Sequence, residues 1–272
     1  SRTRRSIVVG RTASNNIYSS TYSKRYRLIK KLSYTIRMIT LRKSNDRGHV
    51  QFDWLNTRHT FSFGEYYDPK HMHFRDLRVI NEDVIAPAQG FGTHPHNDME
   101  ILTYVISGAI RHKDSMGNDF TLKAGQIQVM SAGTGIKHSE FNASDSEPLH
   151  LYQIWIIPQA KNLPPRYTDV TLPDTQNDWV TIGASTPLAH GVQIMQDVQL
   201  DRAILTPRTT LKRTLPSSPE SKRTYGWCQV VKGKITLNGQ TLEAGDAAAI
   251  SAESALTFTA VQEAEILFFE LI

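Results

Sequence analysis

Two short segments of the chain carry side chains of the kinds that bind metal ions. The first places His94 and His96 two residues apart around a proline, and the second places His138 and Glu140 two residues apart after a glycine-rich run. In an extended strand, side chains two residues apart point to the same face. Each segment therefore predicts a pair of metal ligands on one face of a strand.

Three imidazoles and one carboxylate form an informative donor set. Such donors suit iron, manganese, copper, nickel or zinc better than magnesium or calcium. A six-coordinate ion held by four protein ligands keeps two positions for water, O₂ or substrate, as a catalytic metal requires. A His-X-His pair alone is often a surface or core feature. Together with His138 and Glu140, however, it favours a single divalent transition-metal site.

Neighbouring residues indicate where this site lies. Pro95 has no N–H group to offer a neighbouring strand, so its strand is expected at the edge of a sheet. Gly133 and Gly135 allow a sharp bend before the second pair. Asp98 and Glu100 are expected further along the face that carries the first pair.

Other polar side chains give weaker signals. Five histidines lack a spacing that converges with the four ligands: His49, His59, His71, His73 and His112. We interpret the pair His71 and His73, which no second pair accompanies, as loop or pocket-lining residues. Gln153 and His150 either approach the pocket or pack in the core or an interface. Cys228 is the one cysteine, which excludes an internal disulfide framework and fits a reducing compartment. We interpret it as a small packed apolar residue.

The pattern along the chain is typical of short strands joined by turns. Turn sequences such as Ser107-Gly108 and Ala124-Gly125 separate β-rich runs at Leu77–Ile80, Ile101–Ser107, Gln126–Met130 and Leu149–Ile157. Few segments show helical periodicity. The sequence therefore predicts an all-β sandwich or barrel.

The second half of the chain repeats part of this pattern. The run Val230–Ile235 resembles Val105–Ile110, and an Ala-Gly turn follows each run, at Ala124 and at Ala244. A polar, proline-bearing connector over about 158–178 separates the two blocks. We predict two copies of one barrel, at residues 38–160 and 161–272, after a separate segment 1–37.

The charge of the chain is unevenly distributed. The net charge is +5, but residues 1–37 hold ten Lys or Arg and no acid, leaving 21 basic against 26 acidic residues in 38–272. An acidic body argues against direct binding of nucleic acid. No run of about 20 apolar residues predicts a membrane span. We expect residues 1–37 to be a disordered basic extension, either a transit peptide or a non-native addition before Met38.

Taken in order, the motifs resemble the pirin family, in particular its bacterial quercetin 2,3-dioxygenases. The resemblance covers nearly all of residues 38–272, and Met38 matches the usual family start. It is carried by these stretches: Trp54…His59-Thr-Phe-Ser-Phe, His94-Pro-His96-X-X-X-Glu100, Thr103-Tyr-Val, His112-Lys-Asp-Ser-Met-Gly-Asn, Ser131-Ala-Gly-Thr-Gly-Ile-X-His138-Ser-Glu140 and Leu149-His-Leu-Tyr-Gln-Ile-Trp155.

The resemblance implies a bicupin, with two cupin barrels in one chain and one metal in the N-terminal barrel. The implied ligands are His94, His96, His138 and Glu140, with iron as the expected ion and manganese, copper, nickel and zinc as alternatives. General cupins instead take the carboxylate from the first motif, which here is Glu100. With Glu140 as the ligand, we expect Glu100 to hydrogen-bond a ligand histidine.

Two further features bear on this resemblance. Ser131 stands where a proline is common in the second cupin motif. The C-terminal block holds one histidine, His190, which lies upstream of the hairpin that matches the first block. The C-terminal barrel is therefore expected to be metal-free.

The resemblance implies a cytoplasmic oxidoreductase that cleaves a flavonol such as quercetin with O₂. Glu140 would act as the general base for an enol hydroxyl whose pKa a bound metal lowers. The alternative is a non-enzymatic, redox-responsive regulator that binds a protein partner. Negligible flavonol turnover, with partner binding that changes with the redox state of the metal, would distinguish that regulator.

Overall fold

The computed structural model describes residues 38–216 and 223–272, and the prediction for residues 1–37 lies outside this part of the chain. The described residues form 22 strands and one short 3₁₀ helix, Ser44–Asp46. The predicted all-β class is confirmed. No helix in the described ranges is long and apolar enough to cross a membrane.

The strands follow one another closely along the chain. The first twelve are β1 (Met38–Arg42), β2 (Gly48–Gln51), β3 (Leu55–His59), β4 (Leu77–Ile85), β5 (Gly90–His96), β6 (Glu100–Ser107), β7 (Ala109–Asp114), β8 (Asp119–Lys123), β9 (Gln126–Ser131), β10 (Ile136–Asn142), β11 (Leu149–Ile156) and β12 (Arg166–Thr171). The other ten are β13 (Val180–Ala184), β14 (Val192–Gln193), β15 (Gln199–Leu205), β16 (Thr210–Thr214), β17 (Tyr225–Lys232), β18 (Lys234–Leu237), β19 (Gln240–Glu243), β20 (Ala247–Ser251), β21 (Ala255–Ala260) and β22 (Ala264–Leu271).

These strands form two barrels of the same design, each with a seven-stranded and a four-stranded sheet. In the N-terminal barrel the strand orders are β12-β9-β6-β11-β4-β3-β2 and β5-β10-β7-β8. In the C-terminal barrel they are β1-β20-β17-β22-β15-β13-β14 and β16-β21-β18-β19.

Two strands extend the larger sheet of the opposite barrel. The first strand, β1, pairs antiparallel with β20, so that Met38 lies opposite Ser251. The strand β12 follows the N-terminal barrel in sequence and pairs with β9, so that Tyr167 lies opposite Met130. This second pairing brings side chains of the predicted connector into the N-terminal barrel.

The larger sheets are buried on both faces, which explains their continuous apolar runs. In β6, Val105 packs inside the N-terminal barrel, whereas Leu102 and Tyr104 belong to a core shared with Trp227 and Phe269 of the C-terminal barrel. The two seven-stranded sheets therefore pack against each other.

Several polar groups buried between the barrels are paired. The hydroxyl of Tyr104 contacts the carboxylate of Glu265, which also accepts a 2.9 Å hydrogen bond from Nε of Arg202. Gln229 donates to the hydroxyl of Tyr152 at 3.2 Å. Cys228 is fully buried in the C-terminal barrel, as predicted, and burial raises the pKa of its thiol to about 12.

Candidate metal centre

The two predicted ligand segments are neighbouring antiparallel strands, β5 and β10. His138 lies directly opposite His94, and Lys137 lies opposite Pro95. β5 is the outer strand of its sheet, so the edge position predicted from Pro95 is confirmed. This placement leaves the first histidine pair at the rim of the barrel.

Local irregularities shape both segments. The register shifts between His138 and Glu140, and Glu140 lies opposite Phe91, so β5 carries an extra residue at this point. Such bulges re-aim side chains and are common beside functional sites. Before β10, Gly133 has φ +47°, and a Cβ there would lie 1.9 Å from the carbonyl oxygen of Leu163. The backbone here requires glycine.

His94, His96 and His138 converge at one point. One nitrogen from each ring lies within 4.8 Å of the other two, and the Nε2 atoms of His94 and His138 are 3.0 Å apart. Two nitrogens bound at right angles to an ion at about 2.1 Å would be roughly 3 Å apart. The spacing fits neighbouring ligands of one ion.

Hydrogen bonding prepares His94 for this role. Nδ1 of His94 donates to the carbonyl oxygen of Gly92 at 2.7 Å, so in the neutral ring Nε2, which lies 3.0 Å from Nε2 of His138, carries the lone pair. Nδ1 of His138 is buried and has no partner among the described residues. A cation between the two Nε2 atoms would satisfy both lone pairs.

The surroundings keep two of these imidazoles neutral, the form that binds metals. Burial and the nearby rings of His94 and His112 lower the pKa of His138 to about 3. Burial and the rings of His138 and His94 lower the pKa of His96 to about 4. Protons therefore compete little for these nitrogens at neutral pH.

Glu140 is buried on the same strand as His138 and is held by three side chains. Thr103 and Gln128 donate to its Oε1 at 3.1 and 2.9 Å, and Gln153 donates to its Oε2 at 2.7 Å. All three donors are neutral, and no ion pair of the described residues includes Glu140. A buried carboxylate without a cation favours a bound positive ion.

Glu140 forms a second group of ligand-type side chains with His138 and His112, whose ligand atoms also lie within 4.8 Å of one another. His112 lies opposite Glu140 on β7, is fully buried, and has its ring centroid 5.3 Å from that of His138. The expectation that His112 does not converge with the ligands is therefore wrong. Pairing of β7 with β10 brings it there, and its spacing in sequence does not show this.

The space in front of the histidines is small and lined mainly by aromatic and polar groups. The cavity measures about 70 Å³ and is bounded on its apolar side by Phe63, Phe91, Ile101 and Trp155. The ring of Trp155 lies edge-on to His96, with the centroids 4.9 Å apart. The cavity has room for an ion and a few waters.

Asp83 also lines this cavity, and the sequence analysis missed it. It lies on β4 with Asn81, and both side chains face the inside of the barrel. Burial raises the pKa of Asp83 to about 7, and the negative charge of Glu140 adds to this effect. The detectable signal was two polar residues, Asn81 and Asp83, at alternate positions between the apolar Val79 and Ile85.

Two expectations for the segment after His96 are wrong. β5 ends at His96, and Asp98 adopts a left-handed conformation with φ 47°, so the strand does not continue along one face. Glu100 begins β6 and accepts hydrogen bonds from Ser131 at 2.9 Å and from the backbone N–H of Met195 at 3.0 Å. It faces the other barrel and not a ligand histidine.

The structure also places the residues that had two interpretations. Gln153 lines the cavity and donates a hydrogen bond to Glu140. His150 does not line the cavity, and its Nε2 lies 3.0 Å from Oε1 of Glu82. His71 and His73 lie in the loop between β3 and β4, as expected.

Comparisons with known proteins agree with this architecture. Residues 40–156 match the family model described as Pirin, and residues 181–271 match the model described as Quercetinase C-terminal cupin domain. The chain is 47% identical over 236 residues to a protein of Escherichia coli (strain K12) named Quercetin 2,3-dioxygenase, covering 86% of this chain and 99% of the relative. It is 39% identical to the Putative quercetin 2,3-dioxygenase PA1210 of Pseudomonas aeruginosa, covering 86% of this chain and 100% of the relative.

A solved structure is equally similar. The crystal structure of the bacterial pirin YhhW in complex with nickel(II), from Escherichia coli, has a TM-score of 0.81 at 45% identity, covering 86% of this chain and 99% of that chain. Two barrels in one chain, with histidines converging in the first, define a bicupin with a candidate metal centre. The chain belongs to the pirin family.

Proposed function

We propose that this chain is a metal-dependent dioxygenase that cleaves a flavonol such as quercetin with O₂. The observation that carries the proposal is the convergence of three imidazoles beside a buried carboxylate, at a cavity open to solvent. The names of relatives that match almost their full length support the choice of substrate class. The family and the single cysteine favour the cytoplasm as its location.

The proposed metal ligands are His94, His96, His138 and Glu140. The 3.0 Å separation of two Nε2 atoms and the absence of a cationic partner for Glu140 among the described residues support this set. The donors suit a first-row transition ion, and a solved relative holds nickel(II). We expect iron in this protein, with manganese, copper, nickel or zinc as alternatives.

A bound ion of this kind would act as a Lewis acid that lowers the pKa of the substrate's enol hydroxyl. Glu140 then accepts the enol proton, and its three hydrogen-bond donors hold the carboxylate in place for the transfer. Trp155 and Phe63 supply apolar edges beside the cavity for an aromatic substrate.

The size of the cavity restricts how a flavonol binds. Pockets that enclose drug-sized ligands usually measure about 300–1,000 Å³, well above the roughly 70 Å³ found here. A flavonol therefore enters by one edge, with its enol oxygen toward the histidines and its remaining rings at the barrel rim, near Phe91 and Phe63.

The test is turnover of quercetin by purified, metal-loaded protein, measured by oxygen uptake and carbon monoxide release. His94→Ala is the matched control, because it removes one proposed ligand at the partly exposed rim. We expect turnover in the wild type and a loss of at least 100-fold in the variant. Turnover no greater than that of His94→Ala would reject the enzymatic proposal and favour a regulatory protein.

A further inference from the structure

A second cavity lies between the barrels, away from the candidate metal centre, and His71 and His73 are among its lining residues. It measures about 240 Å³ and is formed by β1, the loop between β3 and β4, and strands β17 and β20. We call it the interbarrel cleft and define its working residues as Arg42, Phe61, Lys70, Phe74 and Trp227. None of these residues lines the candidate metal centre.

Aromatic rings form one side of the interbarrel cleft. The centroid of Trp227 is 5.2 Å from that of Phe61 and 5.5 Å from that of Phe74. Trp227 is 3% exposed, and its Nε1 has no hydrogen-bond partner among the described residues. Because Nε1 is itself buried, Trp227 offers the cleft its ring and not its N–H group.

The opposite side carries positive charge that no carboxylate in the lining balances. Arg42 is 6% exposed, and its guanidinium donates only to neutral oxygens: those of Thr60 at 3.2 Å, Asp46 backbone at 2.7 Å and the Tyr66 hydroxyl at 3.0 Å.

The nearby acid is engaged elsewhere. Asp68 accepts a 2.7 Å hydrogen bond from Nδ1 of His71, which lowers the pKa of its carboxyl, and the nearby charge of Arg42 adds to this effect. Asp68 makes no direct hydrogen bond to Arg42 among the described contacts, and the Tyr66 hydroxyl lies between them, 3.4 Å from the carboxylate. The ammonium group of Lys70 forms no ion pair within the described residues. The cleft therefore combines an apolar wall with two cations, Arg42 and the exposed Lys70, and its lining holds no carboxylate.

We propose that the interbarrel cleft binds a small aromatic carboxylate. Its ring would pack beside Phe61, Phe74 and Trp227, and its carboxylate would lie toward Arg42 and Lys70. A cavity of about 150 Å³ accepts a benzene ring, so a cleft of about 240 Å³ has room for a ring with its acid group. This site does not depend on the metal centre or on the reaction proposed for it.

The test uses 2-naphthoate as the probe and neutral 2-naphthamide as its matched control, by calorimetric titration of the metal-free full chain. We expect one naphthoate per chain and an affinity at least tenfold weaker for the amide. Lys70→Gln should weaken naphthoate binding at least threefold, whereas Lys123→Gln, an exposed lysine outside the cleft, should leave it unchanged. His94→Ala should also bind naphthoate like the wild type.

A second measurement locates the probe. In ¹⁵N-labelled protein, the indole N–H signal of Trp227, identified by its absence in Trp227→Phe, should shift on addition of naphthoate. Equal affinity for the acid and the amide would overturn the proposal, as would binding that His94→Ala abolishes. Absence of both heat and an indole shift at millimolar naphthoate would also overturn it.

Discussion

The hydroxyl of Tyr167 donates a 2.8 Å hydrogen bond to Oε1 of Gln128. This contact fixes which way the amide of Gln128 points, so that its Nε2 donates to Glu140 at 2.9 Å. The ring of Tyr167 also packs against His112, with the centroids 4.7 Å apart. A strand that follows the N-terminal barrel in sequence thus orients the proposed carboxylate ligand.

Tyr167→Phe tests this orientation because it removes the hydroxyl and keeps the ring. Glu140 loses a fixed donor, so we expect nickel to bind about tenfold more weakly, as is usual when a partner of a metal ligand is removed. Unfolding free energy should change by only about 1 kcal/mol. Phe120→Leu, which alters the ring stacked on Tyr167, is the control. An unchanged nickel dissociation constant in Tyr167→Phe would contradict the role.

The choice between two carboxylates can be tested directly. Glu140→Gln should lower the metal content of purified protein strongly, because it removes the proposed anionic ligand. Glu100→Gln should keep it, since Glu100 bonds Ser131 and Met195 on the other face of the sheet. Elemental analysis after equilibration with limiting nickel measures both. A lower metal content in Glu100→Gln than in Glu140→Gln would instead identify Glu100 as the ligand.

Asp83 should make the metal-free protein less stable as the pH rises. The raised pKa of about 7 lets the folded state keep this proton up to about pH 7, whereas the unfolded chain loses it near the ordinary aspartate pKa of about 3.8. Between these values the folded state binds more protons, so stability falls with rising pH by up to about 1.4 kcal/mol per pH unit.

Asp83→Asn removes this dependence. In chelator-treated protein, the stability of the variant relative to the wild type should increase by roughly 2 kcal/mol between pH 5 and pH 8. Urea unfolding at both pH values provides the measurement. A difference between the two proteins that is constant with pH would show that Asp83 titrates normally.

Gly133→Ala should destabilise the loop that precedes His138. An alanine there takes a left-handed conformation, and its Cβ meets the carbonyl of Leu163, so we expect a loss of at least about 2 kcal/mol in unfolding free energy. Gly117→Ala is the matched control, with φ +95° and nothing within 4 Å of the added Cβ, and should cost about 1 kcal/mol. Similar losses of unfolding free energy in the two variants would mean that the backbone at Leu163 moves away from the added Cβ at little cost.

Much of the fold was predictable because local chemistry determines it. The turn glycines at 108, 117 and 125 all have positive φ, and the strands they separate begin and end close to the predicted runs. The spacing of His94 and His96 was informative because β5 is extended up to His96. Pro95 correctly predicted an edge strand.

The remaining features depend on contacts between distant segments. The prediction that side chains two residues apart share a face holds only within a continuous strand. The chain turns at Asp98, so Glu100 begins a new strand and lies on the opposite face. His112 and Tyr167 join the centre through strand pairing, with β10 and β9 respectively. A single sequence carries no local signal for such pairings.

The pairing of β1 with β20 has a consequence for how the protein is made. A chain leaves the ribosome from its N-terminus, so Met38 emerges about 10–40 s before Ser251, its partner. Until then the exposed edge of β1 has no native neighbour, and during translation it offers a site for unwanted strand addition. The second barrel therefore completes its larger sheet only after β20 and β22 have left the ribosome.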